Sequence, residues 1–211
     1  MNTSIDPAAL DWAKGDGLLP AVIQHHLTGE VLMLGYMNRD ALAQTLREGK
    51  VTFYSRSKAR LWTKGESSGH VLVLKSLRVD CDGDTLLVGA DPHGPTCHRG
   101  TSSCFGEDAR PPLGFLAELD ALVAQRDAER PEGSYTTRLF ESGVRRIAQK
   151  VGEEGVETAL AAAAQGDDEL LGEAADLLFH LTVLLHARGL GLGDAVGVLA
   201  GRHAQPAGNP E

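Results

Sequence analysis

No stretch of this 211-residue chain approaches the roughly 18 apolar residues that span a bilayer. A membrane-embedded segment is therefore not expected. The opening Met1-Asn2-Thr3-Ser4-Ile5-Asp6-Pro7 carries neither the basic nor the apolar region of a secretory signal. Positive charge is also short: 20 Lys and Arg stand against 29 Asp and Glu, a formal net charge of −9. That sign argues against non-specific nucleic-acid binding, which needs a basic face. An anionic substrate would need local cations or metal ions to offset it. Cysteine is scarce, and three residues, an odd number, exclude a complete disulfide framework within one chain. Together these absences predict a reduced, cytoplasmic protein.

The three cysteines are concentrated in one window. Residues 80 to 104 contain Asp80-Cys81-Asp82-Gly83-Asp84, then Cys97-His98, then Cys104. Thiolates select zinc and other soft or borderline ions, whereas clustered carboxylates suit magnesium. The window reads as a place for two kinds of metal.

Periodicity divides the chain in two, and no internal repeat is present. Residues 19–27, 29–34, 50–55, 70–79 and 85–90 read as strands, the last two joined by the hairpin signal Asp82-Gly83. One helix interrupts them, Arg39 to Glu48, with Asn38 as N-cap and Gly49 as its stop. Gly106-Glu107-Asp108-Ala109-Arg110-Pro111-Pro112 has the composition of a linker. Beyond it lie helical patterns over 113–129, 135–165, 168–188 and 194–203, with Asp167 or Asp168 capping the third. The expected fold is α+β in two domains: a β-rich metal-binding domain (1–105), a linker (106–114) and an all-α bundle (115–211).

The helical half has its own acids. Glu154 with Glu157, and Glu173 with Asp176, are spaced three apart and share a helical face. In an antiparallel hairpin these pairs come level, and Glu153 lies beside them. Carboxylates so gathered repel unless a divalent cation relieves them. A solvated acidic face is the bland alternative. The apolar neighbours Ala174, Ala175, Leu177, Leu178 and Phe179 oppose it, because an acid on so apolar a helix is usually paired or metal-bound. Gly155, between the acids, costs about 1 kcal/mol relative to Ala in a helix, and close helix packing is the available explanation.

Phe53-Tyr54-Ser55-Arg56-Ser57, Leu61-Trp62-Thr63-Lys64-Gly65-Glu66-Ser67-Ser68-Gly69-His70, the Asp80 to Asp84 cluster and Gly94-Pro95-Thr96-Cys97-His98 through Ser103-Cys104-Phe105-Gly106 together resemble phosphoribosyl-AMP cyclohydrolase. Gln149-Lys150-Val151-Gly152-Glu153-Glu154 and Glu173-Ala174-Ala175-Asp176-Leu177-Leu178 resemble phosphoribosyl-ATP pyrophosphohydrolase, an all-α, magnesium-dependent family. The two occur fused in this order in histidine biosynthesis. The resemblance implies hydrolysis of phosphoribosyl-ATP to phosphoribosyl-AMP and pyrophosphate by the second half. The first half would then open the adenine N1–C6 bond by addition of zinc-activated hydroxide.

It further implies that Cys81, Cys97 and Cys104 ligate zinc, with Cys81 from one subunit of a homodimer and the other two from its partner. The cysteine spacing itself matches no ordinary zinc finger. Zinc would bring its water's pKa towards ~7, with His98 as base or proton shuttle. Asp80, Asp82 and Asp84 are implied magnesium ligands, and Glu153, Glu154, Glu157, Glu173 and Asp176 those of the second site, where one carboxylate such as Glu154 or Glu157 orients water. Asp80 and Asp82 are expected on one strand face with Cys81 on the other. Candidate substrate contacts are Arg56, Trp62, Lys64, Glu66, Ser67, Ser68 and His70 in the first half and Arg146 and Lys150 in the second. A calcium loop is rejected because Thr85 stands where its turn glycine belongs. Two rivals remain: a zinc-stapled interaction module with His98 or His93 as fourth ligand, and a broad nucleotide pyrophosphohydrolase with an inactive first half.

Overall fold

The computed structural model describes residues 5–106 and 109–204. The chain divides into two units after Phe115, sheet-rich before it and helical after.

The first unit contains strands β1 (Leu19–His25), β2 (Val31–Met37), β3 (Thr52–Ser55), β4 (Arg60–Thr63), β5 (Leu72–Val79) and β6 (Leu86–Pro92), and helix α1 (Arg39–Glu48). Four strands form one sheet in the order β2-β1-β6-β5. The β1–β6 pair is parallel, and its neighbours β1–β2 and β5–β6 are antiparallel. Period-two alternation turns Leu19, Ala21 and Ile23 of β1 and Leu86, Val88 and Ala90 of β6 into one core. Each fully buried Leu or Ile there is worth about 1.5–3 kcal/mol. Helix α1 adds Ala41 and Leu42 to the same core. It begins where the Asn38 carboxamide accepts from the Ala41 amide at 2.8 Å and ends at Gly49 with φ 67°, as the sequence suggests.

Strand β4 is not legible in the sequence. It is four residues long, starts with an arginine, and pairs antiparallel with β3 from Thr52↔Thr63 to Ser55↔Arg60. Phe53 of β3 lies against β2 so closely that a Cβ on Gly35 would stand 2.3 Å from its ring. Only glycine fits there.

The second unit holds α2 (Gly114–Glu129, which starts just before the boundary), α3 (Tyr135–Ser142), α4 (Val144–Ala164), α5 (Asp167–His186) and α6 (Leu192–Ala204). The single helix expected over 135–165 is two, because Gly143 adopts φ 82° and breaks the run. The N-cap of α5 is Gly166, not Asp167 or Asp168. Both aspartates lie in the first turn, where their charge complements the helix dipole. Val123, Leu139, Phe140, Ile147 and Val183 form its buried core. Val156 and Leu160 of α4 are left exposed.

Candidate functional sites

In the first unit, the segment after β4 and the loop after β6 face each other across a cleft of about 440 Å³. Trp62, Lys64, Glu66, Ser67, Ser68 and His70 line one side, and Cys97, His98 and Cys104 the other. Residues thirty positions apart in sequence thus share one cavity. Lys64 is buried, and its ammonium donates to the His70 carbonyl at 3.3 Å. Burial lowers its pKa, against the attraction of the two facing thiols. Glu66 is held by Arg60 at 2.5 Å and kept below the usual carboxylate range by that bond.

A tight turn presents the first thiol: the Gly100 amide donates to the Cys97 carbonyl and the Cys97 amide to the Thr101 carbonyl, each at 3.0 Å. The Arg99 amide draws the Cys97 thiol down in pKa, helped by Thr101 and by Cys104. Burial, and then the charge of Cys97, pushes Cys104 up. The His98 Nδ1 stands 3.9 Å from the Cys97 sulfur. Two thiols on one cleft wall, one with its pKa drawn down, suit a thiophilic metal.

Two expected site residues lie elsewhere. Arg56 is stacked 3.8 Å above the Tyr36 ring in a second groove, which shares Trp62 with the cleft. Cys81 is exposed in the β5–β6 turn and does not line the cleft. Strand β5 ends at Val79, so the expected face pattern of Asp80, Cys81 and Asp82 is incorrect. The Asp80 carboxylate instead accepts from the Asp84 and Thr85 amides, both at 3.0 Å, and bends the backbone out of strand geometry. Asp80, Asp82 and Asp84 nevertheless converge within 4.8 Å. The Lys14 ammonium lies among them, bonded to Asp82 at 2.5 Å and to Asp84. Its position 68 residues away from Asp82 leaves no local signal in the sequence.

In the second unit Glu154 and Glu157 of α4 meet Glu173 of α5 within 4.8 Å. Glu153 and Asp176 fall outside that trio. Glu153 is held by Lys150 at 3.0 Å and Arg146 at 3.5 Å, and Asp176 is exposed on α5. Glu154 is buried, and Lys150 at 2.7 Å holds its pKa down. Desolvation raises the pKa of Glu157, and the charges of Glu154 and Glu173 add to it. Two of these carboxylates are thus pushed in opposite directions, Glu154 down beside its lysine and Glu157 up.

Behind them lies a pair that sequence reasoning misses. His180 is buried on α5, its Nδ1 2.9 Å from the Asp176 carbonyl and 3.5 Å from the Glu154 carboxylate. Since a carbonyl only accepts, Nδ1 carries the proton, and in the neutral ring Nε2 accepts from the Tyr135 hydroxyl at 3.1 Å. A signal for it exists: His180 follows Asp176 by one helical turn.

Residues 33–106 match the phosphoribosyl-AMP cyclohydrolase family and residues 116–203 the phosphoribosyl-ATP pyrophosphohydrolase family. A histidine biosynthesis bifunctional protein HisIE from Xanthomonas campestris pv. campestris is 68% identical over 195 residues, 92% of this chain and 93% of that protein. The chain belongs to the HisIE family. The HisIE protein of Escherichia coli K12 is 59% identical over 194 residues, 92% of this chain and 95% of that one. HisIE proteins are bifunctional, and this chain has both hydrolase domains in the order its sequence suggests. The thiol cleft falls within the first matched span and the carboxylate trio within the second.

Proposed function

We propose that the chain carries out two successive hydrolyses of histidine biosynthesis. The helical unit cleaves phosphoribosyl-ATP between its α and β phosphates, giving pyrophosphate and phosphoribosyl-AMP. The β-rich unit then adds water at C6 of the adenine ring and opens the N1–C6 bond. The observation that carries this reading is the shared cleft of Cys97, His98, Cys104, Trp62 and Lys64, which offers metal-binding thiols, a proton carrier, a stacking surface and a cation together.

Cys97 and Cys104 would hold zinc, and Glu154, Glu157 and Glu173 magnesium. Bound zinc supplies an acidified water and magnesium screens phosphate charge. His98 takes up and returns a proton beside the ring. Lys64 and Trp62 orient the nucleotide, with Glu66, Ser67, Ser68 and His70 as further polar contacts. Arg56, stacked on Tyr36, reaches the part of the substrate that extends past Trp62. In the helical unit Lys150 holds Glu154 ionised, Arg146 with Lys150 offers cationic charge to the phosphates, and Glu157 orients the attacking water. Glu153 and Asp176 complete the acidic surround. Asp80, Asp82 and Asp84 would take magnesium once Lys14 moves aside.

Cys81, exposed away from the cleft, completes the zinc site of a second copy in a homodimer. The exposed Val156 and Leu160 on α4 support such an association. Domain limits of 1–105 and 115–211 about the intervening segment, with the second a pyrophosphohydrolase bundle, belong to the same proposal. So does a cytoplasmic setting, where thiols remain reduced. No helix among the described residues is long and apolar enough to cross a membrane.

Mass spectrometry of the products formed from phosphoribosyl-ATP with Mg²⁺ and Zn²⁺ tests the reading. Pyrophosphate plus a product heavier than phosphoribosyl-AMP by one water is expected. Pyrophosphate with intact phosphoribosyl-AMP would refute the proposed first-unit activity.

A further inference from the structure

Glu30 is an acidic residue with only 1% of its surface exposed, and it does not line the thiol cleft. It lies in the β1–β2 connection, upstream of the span that matches the cyclohydrolase family. Its backbone is fixed on both sides: its amide donates to the Thr28 hydroxyl at 3.1 Å, and its carbonyl accepts from the His25 amide at 2.8 Å. A carboxylate buried this deeply is costly unless its oxygens are engaged.

Those oxygens face the cysteine loop. The Ser102 hydroxyl donates to Oε1 at 2.8 Å, across 72 residues of sequence. The other oxygen has no hydrogen bond within 3.5 Å among the described residues and stands 3.7 Å from the Arg110 guanidinium. The contacts then continue in step along the chain. Ser103 donates its hydroxyl to the Val31 carbonyl at 2.7 Å, and Cys104 its amide to the Leu32 carbonyl at 2.8 Å. Glu30, Val31 and Leu32 thus bind Ser102, Ser103 and Cys104 in register. Glu30 makes the first bond of this set and the one accepted by a side chain, two residues from a thiol of the cleft.

We propose that Glu30 is a positioning residue of the cyclohydrolase site: through Ser102 it locks the loop that presents Cys104 to the cleft it shares with Cys97. The inference rests on the proposed zinc reading of those thiols. The accepting Glu30 side chain is buried, while Ser102 itself is exposed.

The test measures zinc affinity of the full chain by competition with a chromophoric chelator, and hydrogen exchange at the Cys104 amide, in parallel. Glu30→Ala and Ser102→Ala should each weaken zinc about 10- to 100-fold, the range for residues that orient metal ligands. The double variant should be no worse than the poorer single one, and both single variants should exchange the Cys104 amide faster. Glu30→Gln, which retains an acceptor for Ser102, should recover most of the affinity. Pyrophosphate release by the helical unit should not change. Should Glu30→Ala fail to fold, Ser102→Ala decides alone. Wild-type zinc affinity and wild-type exchange in Ser102→Ala would overturn the proposal. A wild-type chain that binds zinc no better than Cys97→Ala would overturn the zinc reading instead. In that case unaltered exchange in the Glu30 and Ser102 variants would remove the loop-locking role as well.

Discussion

The Lys14 ammonium lies 2.5 Å from the Asp82 carboxylate and also bonds Asp84, so a lysine occupies the centre of a candidate divalent-cation site. These bonds hold both aspartates below their usual pKa, while Lys14 itself is raised. The ion pairs therefore favour the fold above the ordinary aspartate value of 3.8, and that contribution is lost as pH falls through the lower folded values. Lysine and metal compete for the same oxygens. Lys14→Ala should bind Mn²⁺ at the trio severalfold more tightly, measured by calorimetry in a chain whose Glu154, Glu157 and Glu173 are glutamines. Unchanged or weaker binding would mean that Asp80, Asp82 and Asp84 serve Lys14 and not a metal.

Sites on different units can be disabled separately. Cys97→Ala should lower ring opening of phosphoribosyl-AMP by roughly 10²-fold or more while pyrophosphate release from phosphoribosyl-ATP persists. Glu157→Gln should do the reverse. Rates for the two substrates supplied independently are the measurement. Loss of both activities in either folded variant would contradict two independent sites.

Acid should act on the helical site through Glu157. Its pKa lies above the ordinary 4.5, through desolvation first and then the neighbouring Glu154 and Glu173 charges. In the metal-free protein the raised value means the protonated form favours the fold, a contribution that fades as pH rises through the folded pKa. A metal ion needs the opposite, ionised form. Magnesium binding should therefore release a proton and weaken as pH falls into the range where Glu157 takes that proton up. Calorimetry in buffers of different ionisation enthalpy counts that proton. A magnesium affinity flat across this range would exclude Glu157 as a ligand.

Much of this arrangement is legible in the amino-acid order alone. Short apolar runs between turn residues mark β1 and β6, Asn38 and Gly49 mark both ends of α1, and the three-residue spacing of Glu154 and Glu157 places them together. These are local signals, within one helical turn or one strand. What stays hidden depends on distant partners: Lys14 on the aspartates, Ser102 on Glu30, and Tyr135 on His180. Strand β4 escapes because it takes its register from β3 and is too short and polar to show a pattern of its own.

The Tyr135–His180 bond is a measurable case. Tyr135→Phe keeps the ring stacked on Phe179, whose centroid is 6.0 Å away, but strips the donor from a buried imidazole nitrogen. An unsatisfied buried acceptor costs about 1–3 kcal/mol, and the helical unit should lose that much in urea unfolding. A variant as stable as wild type would show that the nitrogen finds another partner.

Gly155 poses the sharper question. It lies inside α4, where Ala would be better by about 1 kcal/mol. The close packing that would explain it is not provided by the described residues, since a Cβ there meets nothing among them within 4 Å. Gly152 is equally open, and with exposed Val156 and Leu160 these residues lie on one helical face at intervals of three and four. A second copy laid closely against that face would need the Cβ to be absent. Gly155→Ala should then weaken self-association, read by analytical ultracentrifugation, and lower the melting temperature at concentrations where the protein is dimeric. If the variant instead melts higher and associates as before, α4 is not the surface through which two copies meet.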